Sequence, residues 1–150
     1  MKNRFHGIVS LFLIAASVAT GLVTVLDAST AAAAVYVVII ILAPPVMVYS
    51  FCTKCECREY SCAHVLPGML AAWMPERFGN TYTVQDVAGV AIPALLLFLF
   101  PLYWLAQRPM MLLLFWVLAC AGLFEIRLFV CKKCGNTICP FCDKAGRQLE

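Results

Sequence analysis

Eight of the nine cysteines fall into two short groups, and thiols at this density hold a metal, exchange electrons or close disulfides. The first group, "CTKCECREYSCAH", supplies Cys52, Cys55, Cys57 and Cys62, followed by His64; the second, "CKKCGNTICPFC", supplies Cys131, Cys134, Cys139 and Cys142. In a C-x2-C pair both sulfurs can face one tetrahedral ion, and Gly135 and Asn136 after Cys134 suit the tight turn this requires. The second group contains two such pairs separated by four residues, a pattern that can close a zinc or single-iron site. It also contains the Cys134, Cys139, Cys142 spacing of plant-type two-iron ferredoxins, and Pro140 after Cys139 is similar to bacterial cluster motifs.

The first group has intervals of two, one and four residues, which fit no single-ion motif. Several irons accept such irregular donors better than one tetrahedral zinc does. His64 is a candidate substitute ligand, although an isolated histidine near a membrane surface is more often a polar surface residue. Cys120 stands apart in an apolar stretch and reads as a small packing residue.

The chemistry open to these thiols depends on the compartment they face, and so on the helices that carry them. The chain of 150 residues is 63% hydrophobic and only 13% charged, with a mean hydropathy of +0.90. Soluble domains are about half apolar and about one quarter charged, so the composition is that of an integral membrane protein. The net charge of +3 is spread over both ends and one loop, with no nucleic-acid footprint.

Four stretches reach the roughly 20 apolar residues needed to cross a bilayer: about 7–26, 31–51, 87–106 and 110–130. The joins "DAST" and "QRP" are short, which predicts two antiparallel helical hairpins. The expected fold is all-α, a four-helix transmembrane bundle capped by cysteine-bearing segments at 52–86 and 131–150. Lys2, Arg4 and the apolar run after them also fit a secretory signal, but the run exceeds a signal core of about 7 to 15 residues and reads as a span.

With four spans, both termini and the 52–86 loop share one side. That side holds Lys2, Arg4, Lys54, Arg58, Arg77, Lys132, Lys133, Lys144 and Arg147, against Arg108 alone on the other and Arg127 within the fourth span. The bias predicts a multi-pass protein of the cytoplasmic (inner) membrane with both termini and both cysteine groups in the cytoplasm. There thiols stay reduced, which favours metal over disulfide.

Within the spans, Ser17, Thr20, Gly21 and Thr24 form a small-residue stripe suited to close helix packing. Pro44 and Pro45 are expected to interrupt the second helix and Pro93 and Pro101 the third, as irregular packing or as the wall of a quinone cavity. Tyr49, Phe51, Tyr103 and Trp104 read as interfacial anchors. "TVQD", Thr83 to Asp86, has capping-box spacing, and "LPGMLAAWMPERF" reads either as an interfacial segment or as a loop packed on the bundle. Arg127 is close enough to the basic surface to extend to the headgroups. Glu125 is a candidate for carrying protons or facing a quinone, or for pairing with a base such as Arg58.

"FCTKCECREYSCAH" after a second span and "FVCKKCGNTICPFC" after a fourth resemble the pattern of a group of small four-span bacterial membrane proteins with paired cysteine clusters. The tail is also locally similar to the cysteine knuckles of rubredoxin and zinc-ribbon modules, which set their pairs further apart. These resemblances imply metal binding and no particular activity.

The leading expectation is a membrane electron-transfer or anchor subunit with iron-sulfur centres at the cytoplasmic face, working with other subunits and a soluble redox partner, and with a quinone as the candidate membrane carrier. The alternative is a zinc-stabilised assembly protein without redox chemistry. A thiol-exchange or metal-transfer protein ranks third, because quinone-linked thiol oxidases place their pairs on the oxidising side. No nucleophile, base and orienting group occur together outside the cysteines, and no phosphate loop is present, so an autonomous enzyme is not expected.

Overall fold

The computed structural model describes residues 2–55, 65–77 and 82–131, and these are helical throughout apart from their connections. In chain order the elements are α1 (Lys2–Ala28), α2 (Thr30–Phe51), a 3-10 turn (Cys52–Lys54), α3 (Val65–Ala72), α4 (Val84–Leu99), α5 (Leu102–Leu105), α6 (Pro109–Glu125) and a π-helical turn (Ile126–Val130). Among the described residues four stretches are long and apolar enough to cross a membrane: Phe5–Ala28, Thr30–Lys54, Val84–Leu105 and Pro109–Val130. The chain therefore reads as a multi-pass membrane protein.

Local chemistry sets where the helices start. Ser29 adopts an extended conformation between α1 and α2, and its hydroxyl accepts from the Ala32 amide at 3.3 Å. Thr83 and Asp86 form a reciprocal capping box at the start of α4. Pro109 opens α6, where a missing N–H costs nothing.

The dominant packing joins the two hairpins to each other: α1 lies along α6, and α2 along α4. α1 and α2 also touch, whereas α4 and α6 meet sparsely, as where Phe98 stands edge-on to Phe115 at 5.9 Å. Hairpin order alone predicts tighter contact between consecutive helices. The difference lies in the seams, since lipid gives helices no hydrophobic drive to associate and small residues decide which backbones approach. Toward α6, α1 buries Ser10 and Ser17, and α6 presents Ala119 and Gly122; Gly21 of α1 instead faces Pro101 and the Tyr36 hydroxyl. A methyl group on Gly122 would lie 2.8 Å from Ile14.

Three polar rungs align the antiparallel α1–α6 pair. His6 meets Glu125, the Ser17 hydroxyl donates to the Phe115 carbonyl at 2.9 Å, and Arg108 donates to Asp27 at 2.6 Å. The last pair is half exposed, so it fixes register more than it stabilises.

Prolines act differently from the expectation. α2 runs unbroken through Pro44 and Pro45, and α4 through Pro93; only Pro101 separates two helices. A proline removes a single donor, and in hydrocarbon a broken helix would expose several more unpaired groups. At Pro101 the consequence is visible one turn earlier, because the Leu97 carbonyl has no N–H at position 101 to receive. The Tyr36 hydroxyl supplies the missing donor at 2.8 Å, from a side chain wholly buried and stacked on Phe100.

Replacing Gly122 by leucine should separate α1 from α6 and lower stability by about 2 kcal/mol, measured as the unfolding midpoint in detergent micelles. Leu113→Ala, on the outer face of the same helix, should leave the midpoint nearly unchanged.

Candidate metal centre

The first thiol pair is built at the point where α2 ends. Cys52 to Lys54 form a single 3-10 turn, and the Cys55 amide donates to the Cys52 carbonyl at 3.2 Å, closing the C-x2-C segment on itself. Both cysteines are partly buried. The two residues between them face inward and are held from three directions.

Thr53 is 1% exposed; its hydroxyl donates to the Tyr49 carbonyl at 2.6 Å, and its carbonyl accepts from the Arg77 amide at 3.3 Å. Lys54 has a 7% exposed side chain and donates from Nζ to Oδ2 of Asp86 at 2.6 Å. That same oxygen accepts from the Thr83 amide and hydroxyl, both at 2.8 Å. The capping residue of α4 therefore also receives the cation between the two thiols.

Asp86 is itself 1% exposed. Its second oxygen, Oδ1, lies 3.0 Å from Nη1 of Arg77, out of line for a hydrogen bond, and no donor among the described residues completes it. The Arg77 guanidinium stacks over Tyr49 at 5.2 Å from the ring centre, as a planar cation does on an aromatic face. Beside this cluster Tyr82 stacks on Phe51 at 4.2 Å and donates its hydroxyl to the Phe51 carbonyl at 3.2 Å. The 52–86 segment is thus stitched to the bundle on both sides of its α3 excursion.

The second group begins at Cys131, immediately after the π-helical turn, with its amide bonded to the Ile126 carbonyl. A π turn inserts a residue into the helical count and re-aims the side chains beyond it, which is why such turns recur at functional sites. Glu125, at the end of α6, meets His6 of α1 at 3.0 Å, with side chains 26% and 29% exposed. The His6 ring stacks on Phe129 at 4.4 Å, and Phe5 stands edge-on to it at 5.9 Å.

Of the sequence-predicted ligands, Cys52, Cys55 and Cys131 are placed by the structure. Cys57, Cys62, Cys134, Cys139, Cys142 and His64 lie outside the described residues, as does Arg58, the base suggested for Glu125. Among the described residues no three histidine, cysteine or acidic side chains gather into a metal-sized group. Two thiols on one closed turn suit a thiophilic ion and need further donors to complete its shell. Cys120 sits on the exposed outer face of α6 and not in the helix seam, which Phe115, Ala119 and Gly122 fill.

His6 carries no local sequence signal. Its role lies in the topology, because four antiparallel spans bring the start of the first and the end of the fourth to one surface. The recess between α2 and α4, lined by Val38, Ile39, Leu42, Ala43, Val46, Pro93 and Leu96, offers no polar side chain to orient a quinone. No protein-family model matches the chain, and neither the curated proteins nor the solved structures contain a significant match.

Asp86→Asn should destabilise the protein by about 3 kcal/mol, because it leaves Lys54 as a buried cation without its counter-charge. Adding Lys54→Met should restore part of that loss, seen as a double-mutant coupling in the unfolding midpoint.

Proposed function

We propose that this protein is an integral membrane subunit whose cysteine groups ligate metal at the water-facing end where α2 and α6 finish. Cys52, Cys55, Cys57 and Cys62 would supply one set of donors, and Cys131, Cys134, Cys139 and Cys142 the other. The observation that carries this reading is the anchoring of the Cys52–Cys55 turn: Thr53 and Lys54, the two residues between the thiols, are fixed to α2, α4 and Arg77. A thiol pair that only packed against its neighbours would need no such support, whereas a metal ligand benefits from a rigid backbone behind it.

The metal we favour is iron in iron-sulfur form, with the subunit serving electron transfer or anchoring in a membrane oxidoreductase complex. When bound, such a centre supplies one-electron transfer. The protein's own contribution is to hold the donors at the membrane surface, in reach of a soluble redox partner. The bias of basic residues toward that end supports placing it on the cytoplasmic side of the inner membrane. His6 and Glu125, bonded at the same end, would bear a proton beside a reduced carrier, with a quinone as the carrier class this suits.

The second reading is a zinc-held cap that docks other subunits without chemistry. It is favoured by the wholly apolar character of the recess between α2 and α4, which gives a quinone nothing to bond.

Protein purified without oxygen should contain iron and acid-labile sulfide and absorb in the visible range. Cys52→Ser should lower the metal bound by about half if the groups hold separate centres, and nearly abolish it if they share one. Colourless protein containing only zinc would select the second reading, in which Cys134→Ser lowers the amount of assembled complex but leaves its activity per complex unchanged.

A further inference from the structure

The short helix α3 and the turn that follows it carry their large apolar side chains on the side away from the bundle. Leu66, Met69, Leu70 and Trp73 are 60%, 61%, 46% and 92% exposed, and their spacing of three, four and seven residues places them in one stripe. The opposite side is small: Gly68 and Ala71 are buried where α3 rests against α2 and the Cys52–Lys54 turn. In water this arrangement would expose an uninterrupted apolar stripe, which soluble surfaces avoid. Within residues 65–77 the charged side chains are Glu76 and Arg77, which come shortly after the helix.

We propose that α3 is a bilayer-docking element whose stripe lies in the boundary between lipid headgroups and acyl chains. Two observations select lipid as the occupant. α3 packs on α2, a helix long and apolar enough to cross a membrane whose Leu42 and Val46 are exposed and apolar, so the stripe adjoins a helix surface suited to lipid. Trp73, with an apolar body and one N–H, is the residue type that partitions to this boundary. The small inner face lets the helix lie close against the bundle, and Arg77 beyond it ties it to Asp86 and to the Thr53 carbonyl. Insertion of α3 thus fixes the height of the thiol turn relative to the membrane surface, whichever metal the thiols hold.

The chain has three tryptophans, so Trp104→Phe with Trp116→Phe leaves Trp73 as the sole indole reporter. This variant is reconstituted in phosphatidylcholine vesicles whose chains carry bromine either near the carbonyl end or near the methyl end. The emission should be blue-shifted and should be quenched severalfold more by the shallow bromines than by the deep ones, at every protein density. The difference spectrum between the unmodified protein and Trp73→Phe reads the same signal with Trp104 and Trp116 intact. A water-like emission quenched by aqueous iodide and not by bromine overturns the proposal. Bromine quenching that emerges only when the protein is diluted in lipid also overturns it, and assigns the stripe to a second copy of the chain.

Discussion

The carboxylate of Asp86 is the point on which the thiol end of this protein converges. It is 1% exposed, and a buried anion is tolerated only when its charge is balanced by nearby cations and donors. Lys54 and Thr83 fill Oδ2 and Arg77 adds a second positive charge beside Oδ1, so the charge is balanced from three separate parts of the chain. Because Lys54 is one of the two residues between Cys52 and Cys55, the electrostatic need of Asp86 becomes a positional constraint on the thiols. The helix cap, the ion pair and the thiol turn are one structure.

Behind that cluster is a scaffold organised by the absence of water. In lipid, large apolar side chains gain nothing by facing inward, and they line the outside of all four spans. The interior combines small and polar residues, Ser10, Ser17 and Thr24 on α1 and Gly122 on α6, with a few large ones, Val25, Tyr36, Leu105 and Phe115. The hydroxyls of Ser17 and Tyr36 bond across to a neighbouring antiparallel helix and set its register. The Tyr36 hydroxyl shows the principle at its most economical, since it occupies the place of the N–H that Pro101 lacks. Register then places His6 beside Glu125, and Lys54 beside Asp86, at the same end of the molecule.

Much of this is legible in the sequence. Length and hydropathy give the four spans to within a few residues, the small residues of α1 identify its packing face, and "TVQD" announces the cap of α4. Local patterns do not convey how one segment uses another. Lys54 reads as one of nine topological charges, yet it is buried, because its partner is distant in the chain and Asp86 already has a local role in its cap. Pro44, Pro45 and Pro93 read as breaks by the rules of water, while the helices continue through them because hydrocarbon penalises opening a helix more than omitting one bond. The π turn before Cys131 has no sequence signature. Glu125 stands out as costly from its position alone, but finding its partner requires pairing the ends of the first and fourth spans.

The central claim is that Cys52 and Cys55, held by the Asp86 cluster, are metal ligands. X-ray absorption at the metal edge, on protein prepared without oxygen, tests it most directly. The account predicts a shell of sulfur at about 2.3 Å, with sulfur lost from it when Cys52 and Cys55 are both replaced by serine. A shell of nitrogen and oxygen, or a sulfur shell that the double replacement leaves intact, would contradict it.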